Sequence, residues 1–133
     1  MTQKIVAAAC RIAQGSTGQL YLGNMQIQRD WGWAPEYVEA MYLMLQQSQP
    51  NDYVIAMGES SSLEDFLAAA FALVDLDWRH HVVINDSLLQ PTDLAVGRGN
   101  PAKAKNKLGW QAQYKMQDVV QMMVKARLAK SVQ

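Results

Sequence analysis

Four apolar residues, Tyr53-Val54-Ile55-Ala56, stand between turn signals, with Pro50-Asn51-Asp52 before them and Met57-Gly58 after. A short, partly β-branched run of this kind reads as a strand buried on both faces of a parallel sheet. Such a strand needs neighbours, and the sequence offers few. Leu20-Tyr21-Leu22, Arg29-Asp30-Trp31 and Val82-Val83-Ile84 are the other extended pieces, all of them short. A lone apolar strand would leave its ladder groups unpaired and its faces wet. Part of the fold is therefore expected to lie outside these 133 residues, or to come from another chain.

The rest of the chain reads as helix. Thr2 to Gln14 is rich in alanine and closed by Gly15. Pro35 opens a second helix at its first turn, where a missing N–H costs nothing. Tyr37, Val38, Met41 and Leu45, with Met44 beside them, repeat along it at helical spacing. Ser61 with Glu64 predicts a capping box, ahead of a stripe of Leu63, Phe66, Leu67, Ala70, Phe71 and Val74. Asn100-Pro101 caps a short helix that Gly109 ends. Met116, Val119, Val120, Met123 and Val124 give the last helix an inward face, and Lys125, Arg127 and Lys130 suit its C-terminal dipole.

Composition narrows the classes of function. Hydrophobic residues make up 50% of the chain, enough for a packed core. The formal net charge is zero, which argues against a nucleic-acid binder driven by bulk charge. The single cysteine, Cys10, excludes an internal disulfide and fits a reducing cytoplasm. It lies among alanines and reads as a small core residue. No run reaches the roughly 18 apolar residues of a membrane span, and Arg11 interrupts the short apolar start, so no signal peptide is expected.

Leu22 to Gly32 is the stretch richest in possible chemistry. Gly23-Asn24 reads as a turn pair, because both residues tolerate positive φ. Arg29, at the end of a short strand and just before a helix, suits a phosphate or a carboxylate, although on spacing alone a surface arginine is the plainer account. Other groupings have plain readings too. His80-His81 with Asp86 could hint at a metal, but adjacent histidines on an extended segment point to opposite faces. Glu59, Glu64 and Asp65 read as capping and first-turn charges. Lys103, Lys105 and Lys107 read as a solvated helix face. Trp31 and Trp33 could stack a base, but packing against the Pro35 helix explains them as well.

Several words in fixed order carry a family likeness. They are Leu22-Gly23-Asn24, Arg29-Asp30-Trp31-Gly32, Tyr37-Val38-Glu39-Ala40-Met41, Met44-Leu45-Gln46-Gln47, Tyr53 through Glu59, Pro91-Thr92-Asp93, Gly99 through Lys105 and Leu108-Gly109-Trp110. Together they resemble GDP-mannose 4,6-dehydratase, an extended short-chain dehydrogenase/reductase, over nearly the whole chain. The resemblance places Thr2-Gln3-Lys4-Ile5 just after the cofactor half. It implies an α/β fold, helix-rich with a few short strands: the C-terminal sugar-nucleotide-binding part of such an enzyme, with an incomplete Rossmann domain. Residues 1–133 would be one truncated unit, with residues 35–56 packing on the missing cofactor domain. That would explain the orphan strand.

The resemblance also implies ligand roles. Lys4 matches a lysine near the diphosphate and ribose, Leu22, Gly23 and Asn24 match the loop beside the guanine, and Arg29 matches the arginine on the diphosphate. Asp93 stands where the family has a glutamate that binds ribose or base. Gln90 stands where an arginine usually contacts phosphate; losing that cation costs about 1.5–3 kcal/mol of binding. Met57 replaces a common threonine. The intact enzyme would use NADP to convert GDP-mannose to GDP-4-keto-6-deoxy-mannose. No catalytic residue is expected here. Tyr37 is followed four positions on by Met41, Tyr42 by Gln46 and Tyr114 by Asp118, so the family's Tyr-x-x-x-Lys pair is missing. Gly97-Arg98-Gly99-Asn100 is a poor dinucleotide turn, and no cofactor is expected for this chain alone. The alternatives are a non-catalytic GDP-sugar-binding module and an interaction partner of a full-length enzyme. No nucleic-acid or membrane partner is expected.

Overall fold

The computed structural model describes residues 1–89 and 94–131. In chain order its regular elements are α1 (Thr2–Ala13), β1 (Leu20–Leu22), β2 (Gln28–Arg29), α2 (Ala34–Leu45), β3 (Ser61–Ser62), α3 (Leu63–Ala72), β4 (Val82–Ile84), β5 (Val96–Gly97), α4 (Ala102–Leu108) and α5 (Met116–Ser131). Two 3-10 turns, Trp78–His80 and Asp86–Leu88, flank β4. Helices dominate and the strands are two or three residues long, in keeping with the α/β expectation.

The main core lies where α1, α3 and α5 pack on one another and on β1. Alanines at positions 8 and 9 let α1 approach closely, and Ile5, Val6, Cys10 and Ile12 fill the remaining space on its buried face. Helix α3 contributes Phe66, Leu67, Ala70 and Phe71, and α5 contributes Met116, Val120 and Val124. The i, i+3, i+4 spacing of these residues is what turns one stripe of each helix inward. Helix α1 stops in a Schellman arrangement: Ser16 N–H donates to Arg11 O, Gly15 N–H donates to Ile12 O, and Gly15 takes φ +97°.

Two small sheets complete the frame. Strands β1 and β4 run parallel, with Leu20 opposite Val82 and Leu22 opposite Ile84. Strand β2 lies between β3, antiparallel, and β5, parallel. A second, smaller cluster forms around Ala40 of α2, Ala104 of α4 and Trp110. Glu36 ties it together. Its carboxylate is buried and accepts from Gln113 N–H at 2.6 Å, while its carbonyl accepts from the Trp110 indole at 3.0 Å.

The structure departs from the sequence reading at several points. Tyr53–Ala56 joins no ladder among the described residues. Its side chains nonetheless alternate as in a strand. Tyr53 and Ile55 pack on the Ala40–Trp110 cluster, whereas Val54 and Ala56 face Gly99, where an added Cβ would meet the Ala56 Cβ at 2.5 Å. The capping box is Ser62 with Asp65, one position later than predicted. Ser61 pairs with Arg29 across the β2–β3 ladder, and Glu64 accepts from Gln26 Nε2 at 2.8 Å. Glu59 pairs with Lys115 Nζ. Trp31 packs on Phe66 of α3, at 5.5 Å between ring centroids. Lys103, Lys105 and Lys107 are all exposed, in line with a solvated helix face, and Lys103 Nζ also donates to Asn51 Oδ1 at 2.6 Å and lies over the Tyr53 ring. His80 ends a 3-10 turn rather than an extended piece, and His81 stacks on Phe71. Among the described residues no group of three or more His, Cys, Asp or Glu side chains could hold a metal.

Candidate functional site

Parallel strands that end side by side leave a crevice beyond their carboxyl ends, because the two chains then turn away in different directions. Strand β1 runs into Gly23-Asn24, and β4 runs into Asn85 and the turn Asp86–Leu88. Asn85 N–H donates to Leu22 O at 2.8 Å, carrying the pairing one step past the strands. Beyond that point lies a cleft of about 340 Å³, lined by Met1, Lys4, Tyr21, Leu22, Gly23, Asn24, Ile27 and Leu88. Four of the seven residues singled out from the sequence, Lys4, Leu22, Gly23 and Asn24, thus come together.

Each has an identifiable local constraint. Leu22 is fully buried and anchors the floor of the cleft. Gly23 does not take positive φ, and neither does Asn24, contrary to the turn-pair expectation. Glycine is required at 23 for space: an added Cβ would lie 2.8 Å from the Leu88 carbonyl oxygen. The Asn24 side chain closes an Asx turn, with its Oδ1 accepting from Gln26 N–H at 2.9 Å. Lys4 Nζ donates to the Tyr21 carbonyl at 2.7 Å. An ammonium carries three donors, so two remain for an anion at the mouth.

Arg29 is not among the lining residues. It lies two positions beyond Ile27, which is, so alternation along the extended segment sends both side chains to one side. Its Nη1 donates to Gln28 O at 2.8 Å and Leu94 O at 2.7 Å. The guanidinium is thereby oriented, with Nε and Nη2 still available for a bidentate contact. Gln90 and Asp93 lie outside the described residues.

Sequence reasoning missed Met1, Tyr21, Ile27 and Leu88 as lining residues. The signal that would have found Leu88 is the Asn85-Asp86-Ser87 turn, in which Asn85 Oδ1 accepts from Ser87 N–H at 3.0 Å and starts a turn at the end of an apolar run. Asp30 was also missed. Its carboxylate accepts from Met57 N–H and Gly58 N–H, each at 2.9 Å, and from the Tyr37 hydroxyl at 3.3 Å. Burial pushes the Tyr37 phenol up to about 12, and the neighbouring Asp30 charge adds to the shift. The Cys10 thiol is raised by burial, in keeping with a core role.

The Gly97-Arg98-Gly99-Asn100 turn does not fit a dinucleotide. Gly97 lies in β5 against the Arg29 side chain, and Gly99 is needed for close packing on Ala56. Asn100 Oδ1 caps α4 by accepting from Ala102 N–H at 3.0 Å. These glycines serve the protein's own packing, and α4 is too short to carry a phosphate site. Among the described residues, no helix is long and apolar enough to cross a membrane.

The chain is similar in fold to several solved structures. RMD from Pseudomonas aeruginosa, solved with NADPH, superposes with a TM-score of 0.82 at 15% identity, over 96% of this chain and 43% of that one. UDP-glucose 4-epimerase from Thermotoga maritima, solved with UDP-glucose, gives 0.80 at 16% identity, over 97% and 40%. At such identities the likeness speaks for the fold. Sequence relatives are nearer. GDP-mannose 4,6 dehydratase 1 of Arabidopsis thaliana is 45% identical over 124 residues, covering 93% of this chain and 34% of that protein. The Homo sapiens GDP-mannose 4,6 dehydratase is 34% identical, over 95% of this chain and 38% of that protein. The chain thus spans little more than a third of these two relatives. The family model for GDP-mannose 4,6 dehydratase matches residues 1–123. On that match, the chain belongs to the GDP-mannose 4,6-dehydratase family.

Proposed function

We propose that this chain is the sugar-nucleotide-gripping portion of a GDP-mannose 4,6-dehydratase. It would hold GDP-mannose for NADP-dependent dehydration carried out with groups that lie outside it. The observation that carries the reading is the cleft at the carboxyl ends of β1 and β4. Lys4, Leu22, Gly23 and Asn24, chosen from the sequence for nucleotide contact, line one concavity, and it lies within the usual size range of small-molecule sites. In this reading the guanine lies against Leu22–Asn24, Lys4 reaches the ribose and diphosphate, and Arg29 grips the diphosphate from the β2 side. Gln90 and Asp93 keep their proposed substrate contacts.

The isolated chain holds binding groups and no redox machinery, so it is inactive alone. Residues 35–56 supply the surface on which the cofactor-binding part, or a homologous subunit, docks. The compartment that fits this chemistry is the cytoplasm. Calorimetry of the purified chain with GDP tests the reading. Saturable heat is expected, with affinity weakened about tenfold in Arg29→Gln and reduced in Lys4→Ala. No heat and no thermal shift at millimolar GDP would refute it.

A further inference from the structure

A two-residue strand cannot fix its own end. Arg29 is the last paired residue of β2, held on one side by Ser61 and on the other by Gly97. Past it the ladder stops, and the next residue, Asp30, takes over. Its two carboxylate oxygens hold the consecutive N–H groups of Met57 and Gly58, one apiece, and Oδ1 also accepts from the Tyr37 hydroxyl. Three further features are built around that carboxylate. Gly58 has φ +81°, a conformation that lets successive N–H groups converge on one anion. Gly32 leaves room for the Tyr37 ring, since an added Cβ there would come within 2.1 Å of the hydroxyl oxygen. The phenol keeps its proton well past neutrality and so remains a donor to Asp30.

We propose that Asp30 is a positioning residue for the nucleotide site: by clamping the chain one residue beyond Arg29 to Met57, Gly58 and Tyr37, it holds the guanidinium where a diphosphate meets it. The inference rests on the proposed nucleotide site and names a group that acts there without touching the ligand. Arg29 is then held at three points: by its strand partners, by the Gln28 and Leu94 carbonyls on Nη1, and by the Asp30 clamp on its backbone. Asp30→Asn keeps the shape but sets an amide N–H₂ against a backbone N–H, so at least one of the paired bonds is lost.

The test compares GDP with guanosine monophosphate by calorimetry on the whole chain, because a diphosphate grip separates the two ligands and general loosening of the fold does not. The wild type is expected to favour GDP by about tenfold, the scale of one charge-assisted contact. Asp30→Asn is expected to bring that ratio to within about twofold of unity while monophosphate binding changes little. Tyr37→Phe removes one bond of the clamp without charge change and should reduce the ratio by about twofold; it carries the test if Asp30→Asn does not fold. A wild-type ratio retained in the variants overturns the positioning role and leaves the nucleotide site standing. Equal losses for both ligands also overturn it, since they mark a purely structural residue. A wild type that binds neither ligand removes the nucleotide reading itself, and the inference with it.

Discussion

Tyr37 is half-buried, donates to Asp30, and has its phenol raised to about 12 by burial and by that neighbour's charge. In an unfolded chain a tyrosine releases its proton near about pH 10. Between those two values the unfolded state binds fewer protons than the folded one, so stability falls as pH rises. The contribution is whole below the unfolded value and is lost by the time the folded phenol ionises. Wild-type melting temperature should therefore drop between about pH 10 and 12 more steeply than that of Tyr37→Phe; parallel curves would show that Tyr37 has no such role. Single residues differ in how far the sequence exposes them. Gly23 and Asn24 stand out locally as turn residues after an apolar run, whereas Lys4 lies within α1 and is singled out only by the family resemblance. Asp30 was not legible, because its meaning lies in Met57 and Gly58, almost thirty positions away. Glu36 was hidden likewise: a buried carboxylate at the start of α2 reads as a first-turn charge until Gln113 is seen donating to it.

At the scale of the element, α3 shows what periodicity can and cannot locate. Its buried stripe of Leu63, Phe66, Leu67, Ala70 and Phe71 follows from spacing alone. Its start does not. Ser61 and Ser62 are both candidate caps, with Glu64 and Asp65 as their respective partners three residues on. The choice is made by tertiary pairing, because β3 aligns Ser61 with Arg29 and Ser62 with Gln28, which keeps both extended and lets the helix begin only after Ser62. Ser62 Oγ accepts from Asp65 N–H at 3.0 Å, and Asp65 Oδ2 accepts from Ser62 N–H at 2.9 Å. Ser62→Ala should therefore cost about 1 kcal/mol in denaturant unfolding, and Ser61→Ala about half that or less. The reverse order would restore the cap to the position predicted from sequence. Strands β3 and β5 were illegible for a related reason: two residues carry no period, and only their neighbour β2 makes them strands.

At the scale of the whole molecule, the strongest signal in the sequence and the largest irregularity in the structure coincide. Helix α2 carries two charged residues, Glu36 and Glu39, and Glu36 is turned inward. A helix apolar nearly all round is normally covered on every side. Here Val38 is 62% exposed and Leu45 82% exposed, with Met41, Tyr42 and Val54 also open to solvent. The Tyr53–Ala56 segment, strand-like in its alternation yet unpaired in the described residues, lies against the same small cluster as α2. Both features would follow from the docking surface proposed over residues 35–56. A contiguous apolar face left open drives self-association in water. In sedimentation velocity, the isolated chain should gain mass with concentration across the micromolar range. The double substitution Val38→Glu with Leu45→Lys should hold it at the mass of one chain and leave GDP affinity intact, because neither residue lines the cleft. A wild type that stays monomeric throughout that range would mean the face needs no cover, and the case for a docking surface over residues 35–56 would fall.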